Sequence, residues 1–458
     1  MKKIPLGTDS ADSLGLWHDA TLYGDNLRTI VIDGLNPEDN AMIQALYSRD
    51  PKSALSHIEK VQKVGSGSFM ERFYVGYNHK SIGDCGTTTV CIEGVSMLGA
   101  KVIQDWALYN GQESSTRYLD FSTQPMLDPV KTPESKAIQE AWRTFYLKAR
   151  PTLCAHLKNL YPKQESEKED VWERAINAKS FDILRGFLPA GSTTNVAWHT
   201  NLRQAEDHLA LMAHHPLPEI WVVANETLHA LSARYPHSFN WKRYPETEAY
   251  RSASVSNHAY LNPLSWPSTP ELTSHLRSED LKSYVQHLKT RPAKTEMLSI
   301  VREAGDLRAK FLLDFGSYRD LQRHRSLAMP MPLLTTKFGF NSWYLDQLPA
   351  DLKNEALALL EKQSVAIANL PTTDAIRQYY IGMGYQVALQ VTGGLPAWTY
   401  VLELRTSTTV HATLRSVMQS LSQLFITLLP DIALHPDLSL DDWDIRRGLQ
   451  TITEKPNV

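Results

Sequence analysis

The run Arg319-Asp320-Leu321-Gln322-Arg323-His324-Arg325 decides how the rest of the chain is read. Two arginines and a histidine stand side by side at its end, and Met329-Pro330-Met331-Pro332 follows, where prolines would stop a helix. The stretch therefore reads as a helix end carrying concentrated positive charge. Arginine forks pair bidentately with phosphate or carboxylate, and a histidine between them can donate or accept. The cluster thus suits a flat, anionic ligand such as a nucleotide cofactor. A solvated basic turn is the competing reading of the tripeptide alone, because short motifs recur by chance.

Composition sets the frame around this stretch. A chain of 458 residues exceeds what one small core needs, so two or three domains are expected. With 42% hydrophobic and 21% charged residues it has the balance of a soluble globular protein. The formal net charge of -3 gives no global basic field, so nucleic acid is not an expected partner and any anion site must be local. No apolar run follows Met1-Lys2-Lys3-Ile4-Pro5 and no stretch approaches a membrane span, so a cytoplasmic protein without a membrane partner is expected. Cys85, Cys91 and Cys154 are odd in number and lack metal-ligand spacing. They read as small hydrophobes in a reducing compartment, and no metal site is expected.

In the first half, Thr87 to Ile92 is a β-branched run that reads as a strand, entered by the polar turn Asn78 to Asp84. Val95 to Leu108 has apolar residues at helical intervals. Beyond it, Glu113, Ser115 and Arg117 alternate, so an extended backbone projects them to one side as a receptor for a phosphate and a base edge; a polar surface loop is the alternative.

The block Gln112-Glu113-Ser114-Ser115-Thr116-Arg117-Tyr118 resembles the second part of a signature of the flavin-dependent thymidylate synthases, the ThyX family, whose first part is Arg-His-Arg. Counting back from Ser115 puts the expected triplet at Asp105-Trp106-Ala107. Counting forward from Arg325 puts Leu333, Met331 and Thr335 where the family has Ser, Glu and Arg. Each half keeps the part that the other lacks. Leu184-Arg185-Gly186-Phe187-Leu188-Pro189 resembles the family's Ala-Arg-x-x-Leu-Pro, and Trp198 to Arg203 resembles its Trp-Thr-x-Asn-x-Arg. His79, Ser81 and Asp84 resemble its His-x-Thr-x-x-Glu with conservative replacements, and the next nucleotide arginine would fall near Met212.

Residues 240-275, rich in Pro, Ser, Asn and Tyr, read as a linker with turns. A boundary near residue 250 makes domains of 1-250 and 251-458. Past it, Ser278 to Leu288 and Lys294 to Ala304 look helical, and Leu307 to Tyr318 carries a buried apolar face into the Arg-His-Arg stretch. Leu352 to Ala368 is an amphipathic helix with Leu357, Leu359, Leu360 and Val365 turned inward. Tyr400 to Thr406 with His411 and Arg415 resembles the family's last helix pair, so Arg405 stands where the first half has Met212. The family's Asn-x-Arg would fall at Gly394 and Pro396 and its upstream arginine near Gln386, none of which keeps the family residue. The expected fold is therefore α+β: two ThyX-like domains in tandem, each a helical bundle on a small antiparallel sheet.

The resemblance implies FAD-dependent methylation of dUMP to dTMP, with 5,10-methylenetetrahydrofolate as the one-carbon donor and NADPH as reductant. It gives Arg405, Arg323 and His324 catalytic duties, Arg405 stabilising negative charge on the pyrimidine edge. Ser81, Asn201, Arg203, Glu113 and the triplet Arg323, His324 and Arg325 would hold the flavin. Glu113, Ser115, Arg117, Arg185, Asp320, Arg323 and Arg405 would hold the nucleotide. The family's tetramer implies a homodimer of this two-part chain. Asp320, where the family usually has Gln, leaves open another pyrimidine nucleotide, and a non-catalytic nucleotide-binding homologue is the further alternative.

Overall fold

A computed structural model of the chain describes residues 30-115 and 121-440. Contacts divide the chain into two compact units, Met1–Gly86 with Tyr235–Asn240, and Thr87–Arg234 with Trp241–Val458.

In the first unit, α1 (Pro37–Tyr47) begins where the Asn36 side chain accepts from the Glu38 amide, and α2 (Ala54–Val64) where Ser53 does the same for Leu55. Met42, Ile43 and Val61 are buried between them, with Ile58 and Phe69 packed alongside. Tyr235–Asn240 joins this unit through Glu38, whose carboxylate accepts from Ser238 Oγ and the His237 amide. Ser81 is exposed in a 3-10 turn, Lys80–Cys85.

The second unit contains both sheets. Its elements run β1 (Thr87–Ser96), α3 (Met97–Gln104), β2 (Asn110–Glu113), α4 (Pro133–Leu160), α5 (Glu169–Leu184), β3 (Thr193–Asn201), α6 (Leu202–Met212), α7 (Pro218–Arg234) and α8 (Pro245–His258). The order continues with β4 (Glu271–Ser274), β5 (Asp306–Asp314), α9 (Phe315–Leu321), α10 (Ala350–Ala368), β6 (Gln386–Gly394), α11 (Leu395–Arg405) and α12 (Ala412–Leu428). The protein is thus a mixed helical and sheet structure with two three-stranded antiparallel sheets, ordered β1-β3-β2 and β4-β5-β6.

Each sheet hands over to a helix in the same way. Ser96 ends β1 and its Oγ accepts from the Gly99 amide at 2.8 Å; Asp314 ends β5 and its Oδ1 accepts from the Ser317 amide at 2.9 Å. Both are N-caps bonding three residues on, and they fix where α3 and α9 start. Counting from these caps makes Lys101 the positional counterpart of Arg319, and Asp105 that of Arg323.

Hydrogen bonds between the two halves of this unit are reciprocal. Gly191 donates to the Tyr379 carbonyl at 2.9 Å and Gly384 to that of Gly186 at 2.8 Å, while Ala190 donates to Ile381 and Met383 to Leu188, both at 2.9 Å. Such pairing, in which each bond recurs with the roles exchanged, marks a local two-fold axis. Backbone approach is close there: a Cβ on Gly191 would lie 2.5 Å from the Tyr379 carbonyl oxygen.

Several expectations are corrected. Val95 to Leu108 is the end of β1, a helix only eight residues long, and a turn. Leu307 to Tyr318 does carry a buried apolar face into the Arg-His-Arg stretch, as β5, where Leu307, Ala309, Phe311 and Leu313 are buried with period two, followed by α9. Residues 240-275 contain α8 and β4 besides turns, and Ser278 to Ala304 forms short helical pieces of at most six residues. In α10 the buried stripe is Leu352, Ala356, Leu360, Gln363 and Ile367, leaving Leu357 46% and Val365 58% exposed. A stripe with four-residue spacing excludes both positions from the packed face.

Candidate functional site

The site is built around Glu113, the last residue of β2, which pairs with Val196 of β3. Lys101 Nζ donates to Glu113 Oε2 at 2.8 Å and Gln104 Nε2 to the same oxygen at 3.1 Å, both from α3. Arg319 Nη2, from α9, takes the other oxygen, Oε1. One carboxylate therefore receives two cations that occupy the same position in the two halves. All three side chains are buried. Burial alone would raise the Glu113 carboxyl, but Arg319 and Lys101 hold it well below the usual carboxylate range. Burial pulls the Lys101 amine down to about 8, against the opposing pull of Glu113.

Arg185 starts a 3-10 turn, Arg185–Phe187, after α5, and is buried. Its Nη2 donates to Ser317 Oγ at 3.0 Å, and its buried Nε has no hydrogen-bond partner. Burial opposes its charge, yet Tyr344, Asp320, Asp314 and Asp182 around it move its pKa further up. Arg319 Nε is likewise buried without a partner. A cavity of about 290 Å³ opens among these groups, lined by Glu113, Ser115, Arg185, Arg319, Asp320 and Arg323. Counting Lys101 behind it, four cations face two carboxylates, which leaves local positive charge in a chain whose net charge is negative. Asp320 lies 3.9 Å from both Arg185 Nη1 and Arg323 Nη2, at the outer limit of ion pairing, and the Arg323 side chain is half exposed.

His324 and Arg405 lie beside this cavity and not in its lining. Arg405 ends α11; its Nε donates to His324 Nε2 at 2.6 Å and its Nη2 to the Asp320 carbonyl at 2.8 Å. Burial, with Arg405 next, pushes His324 down to about 3, so the ring is neutral and Nε2 is an acceptor. Burial also lowers the pKa of Arg405. Arg325 crosses between the halves, donating to Asn110 Oδ1 at 2.8 Å. Among the described residues, no group of three or more His, Cys, Asp or Glu side chains could hold a metal ion.

Residues 31–237 match the family model described as thymidylate synthase complementing protein. Proteins named UPF0159 from Chlamydia pneumoniae and Chlamydia muridarum are each 23% identical to it, covering 86% and 81% of this chain and 85% and 80% of their own lengths. A UPF0159 protein of Thermoplasma acidophilum is also 23% identical, over 83% of this chain and 91% of its own. Matches of that extent cannot fit within either half, so the relatives match this chain well beyond residues 31–237.

The structure gathers Glu113, Ser115, Arg185, Asp320 and Arg323 at one cavity, with His324, Arg325 and Arg405 adjoining. It does not bring Asn201 and Arg203 there. Asn201 caps α6, accepting from the Gln204 amide at 2.8 Å, and Arg203 lies 3.5 Å from Asp207. They stand five residues along β3 from the partner of Glu113, roughly 16 Å at strand rise. Ser81 belongs to the first unit, and Arg117 lies outside the described residues. Gln386 is replaced as the counterpart of Arg185: it begins β6 as Thr193 begins β3, whereas Gln378 begins the second 3-10 turn, eight residues earlier, as Arg185 does the first. Lys101, Gln104 and Arg319 were not anticipated. Arg319 stands inside the decisive stretch, and its signal was the lysine at the same distance before Asp105-Trp106-Ala107 in the other half.

No helix among the described residues is long and apolar enough to cross a membrane.

Proposed function

We propose that the chain methylates C5 of dUMP to give dTMP at one composite site per chain, using 5,10-methylenetetrahydrofolate, FAD and NADPH. The observation that carries this reading is the cavity that joins Arg185 and Ser115 of one half to Arg319, Asp320 and Arg323 of the other. Arginine forks with unpartnered Nε groups suit the oxygens of a phosphate monoester, and Ser115 adds a hydroxyl donor. Arg117 would join them. Glu113 pairs with two of the surrounding cations, Lys101 and Arg319, and so holds β2 against α9.

Arg405 is the candidate for the pyrimidine edge. Its Nε and Nη2 are fixed by His324 and the Asp320 carbonyl, while among the described residues no acceptor is bonded to Nη1. A guanidinium held in this way can donate to a developing enolate at O2 or O4 without reorganising, which raises electron density at C5. Neutral His324 positions it.

FAD, when bound, would supply hydride and carry the one-carbon unit, chemistry that belongs to the cofactor. Arg323, His324 and Arg325 lie together, but Asn201 and Arg203 are engaged at the start of α6, away from that cavity, so these flavin groups do not meet within the second unit. We attribute completion of the flavin site to a second copy in a homodimer, with the halves 1-250 and 251-458 standing for two subunits of a tetramer. The reciprocal hydrogen bonds between residues 186-191 and 379-384 support an origin by tandem duplication.

Purified protein should show flavin absorption in the visible range and, with NADPH and methylenetetrahydrofolate, convert dUMP to dTMP. Flavin binding with no dTMP formed from dUMP would direct the reading to another pyrimidine nucleotide; dUMP binding without flavin would direct it to a non-catalytic binder.

A further inference from the structure

A second cavity, of about 320 Å³, occupies the position in the first half that corresponds to the arginine cluster in the second. It is enclosed by the end of α3, the last turns of α6 and the C-terminal part of α8. Its lining has no lysine or arginine. Asp105 stands where the other half has Arg323, Trp106 where it has His324, and Met212 where it has Arg405. The substitutions do more than delete a phosphate site: at one position they invert the charge, and at two they install apolar surface.

Asp105 is the cavity's charged residue, and among the described residues no cation is paired with it. It keeps a solvent-exposed face on the cavity, yet protein packed around it pushes its carboxyl up to about 6. A carboxylate crowded in this way gains from a cationic partner. Of the three histidines in the lining, burial pushes His208 and His215 down to about 4, so both are neutral near pH 7, while His258 is exposed at the end of α8. His208 stacks on Trp106 with ring centroids 4.8 Å apart, and its Nε2 contacts the Ile103 carbonyl at 3.0 Å, leaving buried Nδ1 without a partner. Trp106 is fixed in turn by donating from Nε1 to Gln204 Oε1 at 2.9 Å. Leu211, Met212 and Val255 complete an apolar wall.

Entry is provided by α8. This helix of 14 residues has no buried residue, and its contacts are polar: Glu248 accepts from Arg251 at 2.7 Å and pairs with His214 at 2.8 Å. A helix with no fully buried side chain, whose Val255 is only half-buried, moves aside at smaller cost than one with a buried apolar stripe.

We propose that this cavity is a second ligand site, and that it takes a small organic cation with an apolar or aromatic body, an amine in place of a phosphate ester. The ammonium pairs with Asp105 and the body lies against Trp106, Met212 and Val255. The volume is at the lower end of ordinary ligand pockets, which suits a compact amine. The face of Trp106 adds attraction for a cation.

The test is calorimetric titration of the full-length protein at pH 7.5 with tryptamine, and with indole-3-acetate, which carries the same ring and the opposite charge. Tryptamine is expected to bind saturably with at least tenfold preference over indole-3-acetate. Asp105→Asn should weaken tryptamine at least tenfold, and Val255→Trp, filling the cavity from α8, should abolish its binding, with dUMP affinity unchanged in both. Equal binding of the two probes, no saturable tryptamine binding, or tryptamine binding unaffected by both substitutions would each overturn the proposal. Since dUMP is titrated separately, loss of the amine site and failure of the nucleotide reading give different results.

Discussion

Replacing Glu113 with Gln removes one negative charge from between two buried cations while keeping the shape of the side chain. Lys101 and Arg319 then face each other's charge without a counterion. Lys101 can escape by losing its proton, since its amine already sits at about 8 and deprotonating it at pH 7 costs about 1.4 kcal/mol per unit. Arg319 cannot deprotonate. Leaving one buried charge unpaired costs about 3–5 kcal/mol, so that is the destabilisation expected of Glu113→Gln, carried chiefly by Arg319. The double replacement Glu113→Gln with Arg319→Met leaves no cation that cannot neutralise and should recover most of the loss. Because a chain with two compact units need not unfold in one step, the suitable readout is native-state hydrogen exchange at the amides of α3, β2 and α9. A cost below about 1 kcal/mol for the single variant, or a double variant as unstable as the single one, would refute the claim that Glu113 is the shared counterion of the two halves.

Three further outcomes follow from the same geometry. The folded-state pKa of Lys101 lies below its unfolded value of 10.5, so the unfolded chain binds more protons between about pH 8 and 10.5; stability should rise through that window and be lost as pH falls towards 8, a slope that Lys101→Met flattens in urea titrations at stepped pH. Arg405→Ala should leave flavin bound while lowering dTMP turnover by ~100-fold or more, the scale of removing an electrostatic stabiliser, and unchanged turnover would take Arg405 out of the mechanism. Equilibrium titration should give one dUMP per chain, because the corresponding cavity of the first half has no lysine or arginine in its lining; two per chain would defeat the single-site reading.

How far the sequence disclosed this site depended on what each residue's role required. Residues that act through type and spacing were legible: Glu113, Ser115, Arg185 and Arg323 line one cavity although up to 210 positions separate them, as Glu113 and Arg323 show. The strand Thr87 to Ile92 was legible from its β-branched run, though β1 extends to Ser96 because Ser96 must cap α3. Lys101 was hidden because an apolar helix in sequence gives no sign that one of its members is a buried lysine neutralised by a carboxylate twelve residues on. The helix α8 was hidden for the opposite reason: its Ser, Asn and Tyr content mimics a linker, and it has no buried stripe to set a period. Counting from the helix caps places the counterpart of Arg185 at Gln378 and not at Gln386, because the eight residues from the 3-10 turn to the strand are the same in both halves, and it keeps Met212 opposite Arg405.

The pairing of Lys101 with Arg319 also bears on why the halves differ. A fully symmetric arrangement would place a carboxylate on each side of the local axis, one for each cation. Here the second position is Met331, which is buried, and both cations converge on Glu113. An unpaired buried arginine cannot neutralise itself, whereas a lysine can. Lys101, whose corresponding carboxylate position in the second half is Met331, is thus the cation that can lose its proton, while Arg319 pairs directly with Glu113. Gln378 at the counterpart of Arg185 follows the same logic: fully buried, it donates to the Ala375 carbonyl and accepts from the Leu334 amide, satisfying its amide without any charge. With Met331 and Gln378 uncharged on one side and Glu113 paired on the other, Asp105 is the carboxylate left in the lining of the first half's cavity.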